Sequence, residues 1–391
     1  MRNILSAFLA ALFLLLPLSG MAEDTVTIPR SVYDMYRKID TLVEMMEIVQ
    51  ENYYEDVDEK TLLDGAAQGM LRSLGDPYTF YYTAESFADY MEHQKGEYAG
   101  IGIQISTSYV TGLSTISRVF SGSPAQEADV HRGDILVQVE DLVVTPDTIT
   151  DAVNIMRGTP GTDVEVVFRR GEELLTKTVG RAQITMNRVE SCMLENQIGY
   201  IRLWEFAGEC VSQFTEALDS LTQAGMRGLI LDLRDNPGGL LDDAIAIGNH
   251  FLDEGVLTYL QYRNGETQYY YTSKGSQEIE LVILVNENSA SCSELLTGAL
   301  RDRLGSLVVG VTSFGKGVVQ HLMQVDAEGD AMQLTVAQYF TPSGTEVHHN
   351  GIEPDHWVEL AEGDNGMYLL GDLSDPQLHA AWVDICNLLE E

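Results

Sequence analysis

The sequence predicts a multidomain α+β protein with N-terminal helices, a β-rich module in the middle and an α/β core after it. Its 391 residues are too many for one average hydrophobic core, and 45% of them are hydrophobic, as in folded proteins. Residues from about 96 to 182 alternate apolar and polar positions, as strands do. From about 183 onward, strand-like runs alternate with helix-like runs, which favours an α/β core with mainly parallel strands.

Residues 1–22 are predicted to be a secretory signal peptide rather than part of the fold. Arg2 gives a positive start, an almost purely apolar run extends from Ile4 to Leu18, and small residues lead up to Ala22. The apolar run contains Pro17 and is short for a membrane-spanning helix. We therefore expect cleavage after Ala22 and export to the cell envelope (the periplasm or the outer face of the membrane) or secretion. A retained N-terminal anchor, with peripheral or anchored membrane association, is the alternative.

Charge and cysteine spacing exclude two kinds of partner. The formal net charge is −37, from 60 acidic residues against 23 lysines and arginines, so the chain repels nucleic acid and we expect no such partner. The four cysteines are Cys192, Cys210, Cys292 and Cys386. They form no C-x-x-C pair, so no metal site is expected, and no organic cofactor is expected either. The pairing of these cysteines stays open.

Residues 23–95 are predicted to form an N-terminal helical region. Apolar residues repeat with helical spacing over 31–53, and a second helix over about 60–74 ends at Gly75-Asp76-Pro77. Amphipathic helices of this kind pack either on the body of their own chain or on another subunit. Both alternatives stay open, and the second would make the protein a homodimer.

The β-rich module, residues 96–182, contains the segments of a known domain in their usual order. They are the alternating Ile101, Ile103 and Ile105, the G-S-P-A segment at Gly122–Ala125, the H-R-G-D-I-L segment at His131–Leu136, a helix at Ile149–Met156 and a closing strand at Val164–Arg169. This order resembles a PDZ domain. The resemblance places the carboxylate-binding loop at Gly100, Ile101, Gly102 and Ile103. Backbone N–H groups of that loop would hold the C-terminus of a peptide, and its two isoleucines would line an apolar pocket.

The α/β core, residues 183–360, is predicted from alternating strands and helices, and a C-terminal helical segment follows over 361–391. The predicted strands are Ile198–Leu203, Gly228–Leu233, Leu281–Val285 and Ser306–Val311, and the predicted helices are Cys210–Ala224, one running through Phe251 and one beginning at Ser291. Loops at the carboxyl ends of such strands are where α/β proteins build their sites.

Ser291 and Lys316 are the candidate nucleophile and general base of an acyl-transfer site. Ser291 follows a predicted strand and begins a helix, although Ser291 and Glu294 would also form an ordinary S-x-x-E capping box. Lys316 lies in the nearly apolar, glycine-flanked segment F-G-K-G-V-V. Burial there would lower the pKa of a lysine from about 10.4 toward about 7–8, which makes the amine a usable base for a serine. An exposed turn lysine is the alternative.

Acyl transfer also needs donors for the oxyanion that forms in the transition state. Gly238 or Gly239 can bring a backbone N–H close because neither carries a side chain, and the N–H of Cys292 would be the second donor. A simple strand-to-helix turn at residues 236–239 is the alternative.

Five motifs together resemble the carboxyl-terminal processing peptidases (tail-specific proteases) over about residues 31–389. They are D-L-R-x-N-P-G-G at Asp232–Gly239, V-N-x-x-S-A-S-x-S-E at Val285–Glu294, F-G-K-G-V-V-Q at Phe314–Gln320, Y-F-T-P-S-G at Tyr339–Gly344 and G-I-E-P-D at Gly351–Asp355. The resemblance implies Ser291 as nucleophile, Lys316 as base and Gln320 as the residue that orients the lysine from the same face of the following strand. Cys292 replaces the alanine common in the family's serine motif. Since only its backbone N–H is needed, we expect the change to be tolerated.

The resulting interpretation is an exported serine endopeptidase with a Ser/Lys dyad, whose PDZ domain recognises protein or peptide substrates by an apolar C-terminus. The alternative is a catalytically silent binding or scaffold protein of the envelope on the same fold. Retinoid-binding proteins of the eye share this α/β fold without hydrolysis, so fold alone does not prove catalysis. Retention of Ser291 with Lys316 and Gln320 favours the enzyme.

Overall fold

The computed structural model describes residues 27–108, 111–273, 279–361 and 368–390, and the predicted signal peptide lies outside them. The chain divides into two compact units, residues 1–70 and 71–391. The first unit contains the helix Arg30–Asn52 and most of the helix Glu59–Arg72, both close to their predicted bounds. Among the described helices, none combines the length and apolar character needed to cross a membrane.

The second unit begins with elements that the sequence did not indicate. A short strand, Phe80–Tyr82, and a helix, Ala84–Lys95, precede the β-rich module. Thr83 begins that helix and accepts a hydrogen bond from the Ser86 N–H, as N-cap residues do. The prediction of a purely helical region over 23–95 was therefore incomplete.

The β-rich module is one antiparallel sheet with helices packed on it. Its sheet order is Ile103–Ser108, Leu113–Val119, Ile135–Val139, Asp163–Arg170 and Glu173–Gly180, with Leu142–Val143 beside Ile135–Val139, and its helices are Pro124–Glu127 and Ile149–Met156. Buried Val164, Val166 and Phe168 alternate with more exposed neighbours, which gives the sheet one apolar face. The predicted closing strand is followed by a further edge strand, Glu173–Gly180. That strand is mostly exposed, so its sequence carries a weaker apolar pattern.

A two-stranded sheet joins this module to the α/β core. Glu97–Gly100 pairs antiparallel with Ala182–Thr185, so the chain enters and leaves the module at neighbouring strands. The module is thus held at its base by backbone hydrogen bonds.

The α/β core is built on a six-stranded, mainly parallel sheet, as predicted. Its order is Val189–Met193, Ile198–Leu203, Gly228–Asp232, Glu280–Val285, Leu307–Gly310 and His356–Trp357; the first pair is antiparallel and the others are parallel. The central strands are apolar along their whole length because both faces are covered. The helix Pro376–Leu388 covers one face, and the helices Cys210–Gln223, Leu241–Gly248 and Cys292–Leu304 cover the other.

A second sheet, which the sequence did not predict, packs on the same side as those three helices. It is antiparallel, in the order Phe80–Tyr82, Ala331–Phe340, Gly255–Tyr262 and Thr267–Thr272, and Val318–Gln324 also pairs with Ala331–Phe340. Leu257, Leu260 and Tyr339 of this sheet share one hydrophobic cluster with the helix Cys292–Leu304. The helix that begins after Ser291 is therefore buried between two sheets, which fixes the position of its first turn.

Candidate active site

The carboxyl end of the strand Gly228–Asp232 is anchored by a buried ion pair. The Asp232 carboxylate accepts hydrogen bonds from the Arg234 guanidinium at 2.7 Å and from the Tyr200 hydroxyl at 2.5 Å, and Arg234 also pairs with Asp375 at 2.7 Å. Burial alone would raise the pKa of Asp232, but the neighbouring Arg234 and Arg202 hold it at about 2. The paired charges fix the start of the turn that carries Gly238.

Ser291 has a strained backbone conformation directly before its helix, close to the turn that carries Gly238. Its φ of 56° and ψ of −116° are typical of glycine and unusual for other residues. The Tyr339 hydroxyl donates to the Ser291 carbonyl at 2.9 Å, and the next residue begins the helix Cys292–Leu304. A sharp strand-to-helix turn of this kind lifts a side chain out of the sheet edge, which suits a nucleophile.

The buried carboxylate of Glu294 connects the serine to the lysine. Its Oε2 atom accepts from the Ser291 N–H at 2.8 Å and from the Lys316 N–H at 2.9 Å. Its Oε1 atom accepts from the Ser313 hydroxyl and from the Gly315 N–H, both at 2.6 Å. Burial raises the pKa of Glu294, and the four donors offset part of that rise. One oxygen thus brings the backbones of Ser291 and Lys316 together, and the capping role and the site role of Glu294 coincide.

The Lys316 amine is largely withdrawn from water, as predicted. Burial lowers its pKa below the ordinary lysine value, while Cys292, Asp76 and Glu294 act in the opposite direction. The amine lies 5.0 Å from the centre of the Tyr78 ring, on the face where a cation is attracted. The lysine is therefore desolvated without a direct ion pair in the described part of the chain.

The glycines beside Lys316 are required by a crossing segment. A Cβ on Gly317 would lie 2.3 Å from the backbone nitrogen of His348, and the His349 N–H donates to the Gly315 carbonyl at 2.9 Å. His348 and His349 therefore contribute backbone contacts to the lysine turn.

The predicted oxyanion donors lie beside Ser291 but are not equivalent. A Cβ on Gly238 would come within 2.7 Å of the Ser291 Cβ and 2.9 Å of the Cys292 nitrogen. The Gly238 N–H, however, donates to the Asn236 side chain at 2.9 Å. Among the described residues, the N–H groups of Gly239 and Cys292 have no acceptor. The backbone geometry therefore leaves those two donors available, and Gly238 contributes close approach instead.

The expected place of Gln320 needs a correction. The strand begins only at Val318, so Lys316 precedes it, and a β-bulge between Val319 and Gln320 interrupts the alternation of faces. Among the described residues, the Gln320 amide donates to Thr335 at 3.2 Å rather than to Lys316. Counting two residues per strand repeat therefore does not place Gln320 against the lysine.

Three of the four residues predicted for tail binding line one pocket in the PDZ module. This pocket, here called the tail pocket, has a volume of about 210 Å³ and is lined by Gly100, Ile101 and Ile103 together with Val153 and Met156 of the module's helix. Ile101 also packs into the module's core. Gly102 instead allows close packing against a neighbouring loop, since a Cβ there would lie 2.2 Å from the Cβ of Ser123.

Comparison with known proteins decides the family. Residues 197–358 match peptidase family S41, residues 21–86 match the N-terminal domain of the activating protease CtpB, and residues 115–170 match the PDZ domain. The chain is 34% identical to the carboxy-terminal processing protease CtpA of Bacillus subtilis over 338 residues, which cover 86% of this chain and 72% of that protein. The chain belongs to the carboxy-terminal processing proteases. It is a serine-type peptidase of family S41.

A second relative and two solved structures agree with this family. A carboxy-terminal-processing protease of Bartonella bacilliformis is 32% identical over 361 residues, which cover 90% of this chain and 82% of that protein. The photosystem II D1 C-terminal processing protease superimposes with a TM-score of 0.57 at 25% identity, over 92% of this chain and 96% of that one. A putative S41 protease from Bacteroides fragilis has a TM-score of 0.60 at 15% identity, over 86% and 92% of the two chains, and shows the shared fold.

Two residues near the lysine of this carboxy-terminal processing protease were missed from the sequence. Asp76 and Tyr78 belong to the segment that was interpreted only as a helix stop and turn. Asp76 accepts from the Thr79 hydroxyl at 2.6 Å and influences the charge of Lys316, and Tyr78 faces the amine. The sequence offers no local signal for this contact, because the segment lies far from Lys316 along the chain.

Proposed function

We propose that the protein is an exported endopeptidase in which Ser291 attacks the scissile peptide bond and Lys316 acts as the general base. The observation that carries the proposal is the Glu294 carboxylate, whose Oε2 atom accepts from both the Ser291 and the Lys316 N–H groups. One rigid support for the backbones of both residues, together with the lowered pKa of the lysine, supports the pairing of Ser291 and Lys316 in nucleophilic catalysis.

The chemistry follows from the protonation of the two side chains. A lysine with a lowered pKa is neutral in a larger fraction of molecules near neutral pH, so its nitrogen can take the Ser291 proton as Oγ bonds to the carbonyl carbon. The N–H groups of Gly239 and Cys292 would stabilise the oxyanion. The protonated lysine would then give its proton to the leaving amine, and a water deprotonated by the same nitrogen would release the acyl group. Gln320 would orient the lysine only after a rearrangement of its bond to Thr335.

We propose that the tail pocket captures the apolar C-terminus of the substrate. Its walls of Ile101, Ile103, Val153 and Met156 suit an apolar last side chain, and an extended peptide would add a strand beside Ile103–Ser108. Tail capture at this pocket would raise the effective concentration of the attached polypeptide near Ser291.

We propose that the chain is organised as domains at 1–22, 23–95, 96–182, 183–360 and 361–391. Residues 1–22 would direct export. If these residues are retained, they would also attach the protein to the membrane. The helix Arg30–Asn52 exposes apolar residues such as Tyr36, Ile39 and Val43, which supports a homodimer formed through this helix.

Cleavage of an unfolded protein tests the proposal. The parent chain should cut a substrate that ends in apolar residues faster than the same substrate with a charged tail, and Ser291→Ala and Lys316→Ala should each abolish cleavage while the fold is retained. Ser212→Ala and Lys177→Ala, which change a serine and a lysine outside the site, are the matched controls and should cleave normally. Activity in Ser291→Ala would rule out this nucleophile. Tail binding without cleavage by the parent chain would favour the silent binding protein.

A further inference from the structure

A large cavity separates the PDZ module from the carboxyl edge of the parallel sheet. It has a volume of about 790 Å³ and is here called the arginine cavity. Gln104, Ile105 and Ser106 line it from the PDZ side, and Asp235 and Pro237 line it from the turn that leads to Gly238. It shares His93, Gln104, Ile105 and Arg188 with the tail pocket. A polypeptide that extends from the tail pocket toward Ser291 would therefore pass along it.

Five arginines line this cavity in a chain that is otherwise strongly acidic. They are Arg118, Arg132, Arg188, Arg202 and Arg234. Three of them surround Trp204: the guanidinium carbons of Arg202, Arg118 and Arg132 lie 3.8, 4.4 and 6.0 Å from the centre of a Trp204 ring. With only 23 lysines and arginines against 60 acidic residues in the whole chain, this concentration of positive charge is local and specific.

Several of these arginines are buried and incompletely paired. Arg118, Arg188 and Arg202 expose only 4%, 4% and 7% of their surface. The Nε atoms of all three, and that of Arg132, are buried without a hydrogen-bond partner in the described part of the chain. Most buried polar atoms in proteins are satisfied, so four unpaired N–H groups beside one cavity indicate that this cluster is short of hydrogen-bond acceptors.

The carboxylates beside the cluster are divided unevenly among its arginines. Arg118 pairs with Glu190, Arg188 with Glu205, and both Arg202 and Arg132 with Asp235, so these four guanidinium groups share three carboxylates. Arg234 pairs with both Asp232 and Asp375, which brings the five arginines to five carboxylates. Two further acids, Glu287 and Glu359, line the cavity but are exposed to solvent. The shortage of acidic partners is therefore confined to the four arginines other than Arg234.

Two of these arginines have lowered pKa values because they are buried. Burial lowers the pKa of Arg118 to about 10, with Arg188 and Arg202 adding to the decrease, although Glu190 opposes it. Burial and Arg202 also lower the pKa of Arg132. A bound anion would reduce this cost, because an opposite charge favours the protonated guanidinium.

We propose that the arginine cavity binds an aspartate or glutamate side chain of the substrate, in the segment between the captured tail and the bond presented to Ser291. This inference rests on the proposed function and adds a substrate requirement to it. A carboxylate accepts hydrogen bonds from the paired terminal N–H groups of a guanidinium, and an arginine that lines the cavity would present such a pair. A long polyanion is disfavoured by the net charge of −37, so a single acidic side chain fits better than a nucleic acid.

Binding of peptides to the full-length Ser291→Ala protein tests the inference without cleavage. The peptides share one apolar tail and carry a single aspartate, or asparagine as its neutral isostere, at successive positions upstream of that tail. Fluorescence anisotropy of labelled peptides gives Kd. At one or two adjacent positions, the aspartate peptide should bind about tenfold more tightly than its asparagine partner. Equal affinities at every position would overturn the inference, whatever the arginine variants do.

Substitutions then locate the site. Arg132→Gln, at the partly exposed edge of the cluster, and Arg202→Gln, in its centre, should each remove most of the preference for aspartate while the asparagine peptides bind as before. Arg263→Gln, which also removes one positive charge but lies exposed in a distant hairpin, should keep the preference. If Arg202→Gln does not fold, Arg132→Gln and the peptide pairs still decide. If both single variants fold and still prefer the aspartate peptides, the location of the site in the arginine cavity is refuted.

Two further readouts distinguish a substrate carboxylate from a free anion, and this inference from the proposed catalysis. If inorganic phosphate binds the cavity and the peptides show no preference for aspartate, the cavity is a small-ion site and the substrate role is overturned. In the parent chain, kcat/KM should follow the same aspartate preference as Kd. Preferential binding without cleavage would contradict the proposed catalysis and leave this inference standing, whereas cleavage that ignores the acidic residue would do the reverse.

Discussion

Replacing Glu294 with glutamine tests whether one buried carboxylate holds the serine turn and the lysine turn in place. The carboxylate accepts four hydrogen bonds, from Ser291, Lys316, Ser313 and Gly315, and its side chain is fully buried. Glutamine keeps the size and shape of the side chain but has only one acceptor oxygen. Two of the four donors would then face an amide NH₂ group that cannot accept from them.

The expected loss of stability follows from these contacts. A hydrogen bond to a charged group contributes about 1.5–3 kcal/mol, so the loss of two lowers the free energy of unfolding by about 3–6 kcal/mol. Folded domains are stable by only about 5–15 kcal/mol in total, so the change is a large fraction of that stability. Urea unfolding of Glu294→Gln against the parent chain measures it. Glu216→Gln, exposed on the helix Cys210–Gln223, is the matched control and should change stability by less than about 0.5 kcal/mol.

Activity of the folded Glu294→Gln protein separates positioning from general destabilisation. The negative charge of Glu294 raises the pKa of Lys316, so its removal should move the acid limb of the kcat/KM profile to lower pH. The value of kcat should fall because Ser291 and Lys316 lose their common support. Unchanged stability together with an unshifted pH profile would refute the role given to this carboxylate.

Three further predictions concern Ser291, Lys316 and Cys292. Ser291→Gly should be more stable than Ser291→Ala by about 1–3 kcal/mol in urea unfolding, because glycine relieves the strain of the positive φ while both variants are inactive. The pKa of Lys316 is lowered in the folded state, so the parent chain should gain stability as pH rises from that lowered value to about 10.4. Lys316→Met should remove this gain and raise the melting temperature near neutral pH, with loss of cleavage. Cys292→Ala should retain kcat/KM, because burial raises the pKa of the thiol to about 12 and only the backbone N–H is needed.

The parallel sheet could be predicted from the sequence because its strands are buried on both faces. Ile198–Leu203 was located without error, and Gly228–Asp232 and Glu280–Val285 were located to within one residue, since each is a continuous apolar run. The position of Ser291 at a helix start could also be predicted, because a capping residue leaves a local signal in the S-x-x-E pattern. Local patterns therefore sufficed wherever the physical cause was local.

The antiparallel sheet and the wall around Lys316 could not be predicted, because their causes are not local. A strand was expected after Lys316, but Val318–Gln324 is half-exposed and contains polar residues, so nothing in its own sequence indicates that it pairs with Ala331–Phe340. Phe80–Tyr82 pairs with Ala331–Phe340 across most of the chain length, and this pairing brings Tyr78 to the lysine. The bulge before Gln320 is likewise set by pairing with the neighbouring strand, so the face of Gln320 cannot be counted from the sequence.

The free-energy costs at Ser291 and Lys316 explain why buried charged residues stabilise the turns around the site. Ser291 in a strained conformation and Lys316 in a desolvated one both reduce the stability of the native state. Glu294 offsets these costs with hydrogen bonds to both turns, and the buried pair of Asp232 and Arg234 stabilises the neighbouring turn that leads to Gly238. Each of these groups is buried and charged, so removing one partner leaves an unpaired charge as well as a lost contact. Substitutions at these supports should therefore reduce folding and catalysis together, whereas substitutions of Ser291 or Lys316 should separate the two.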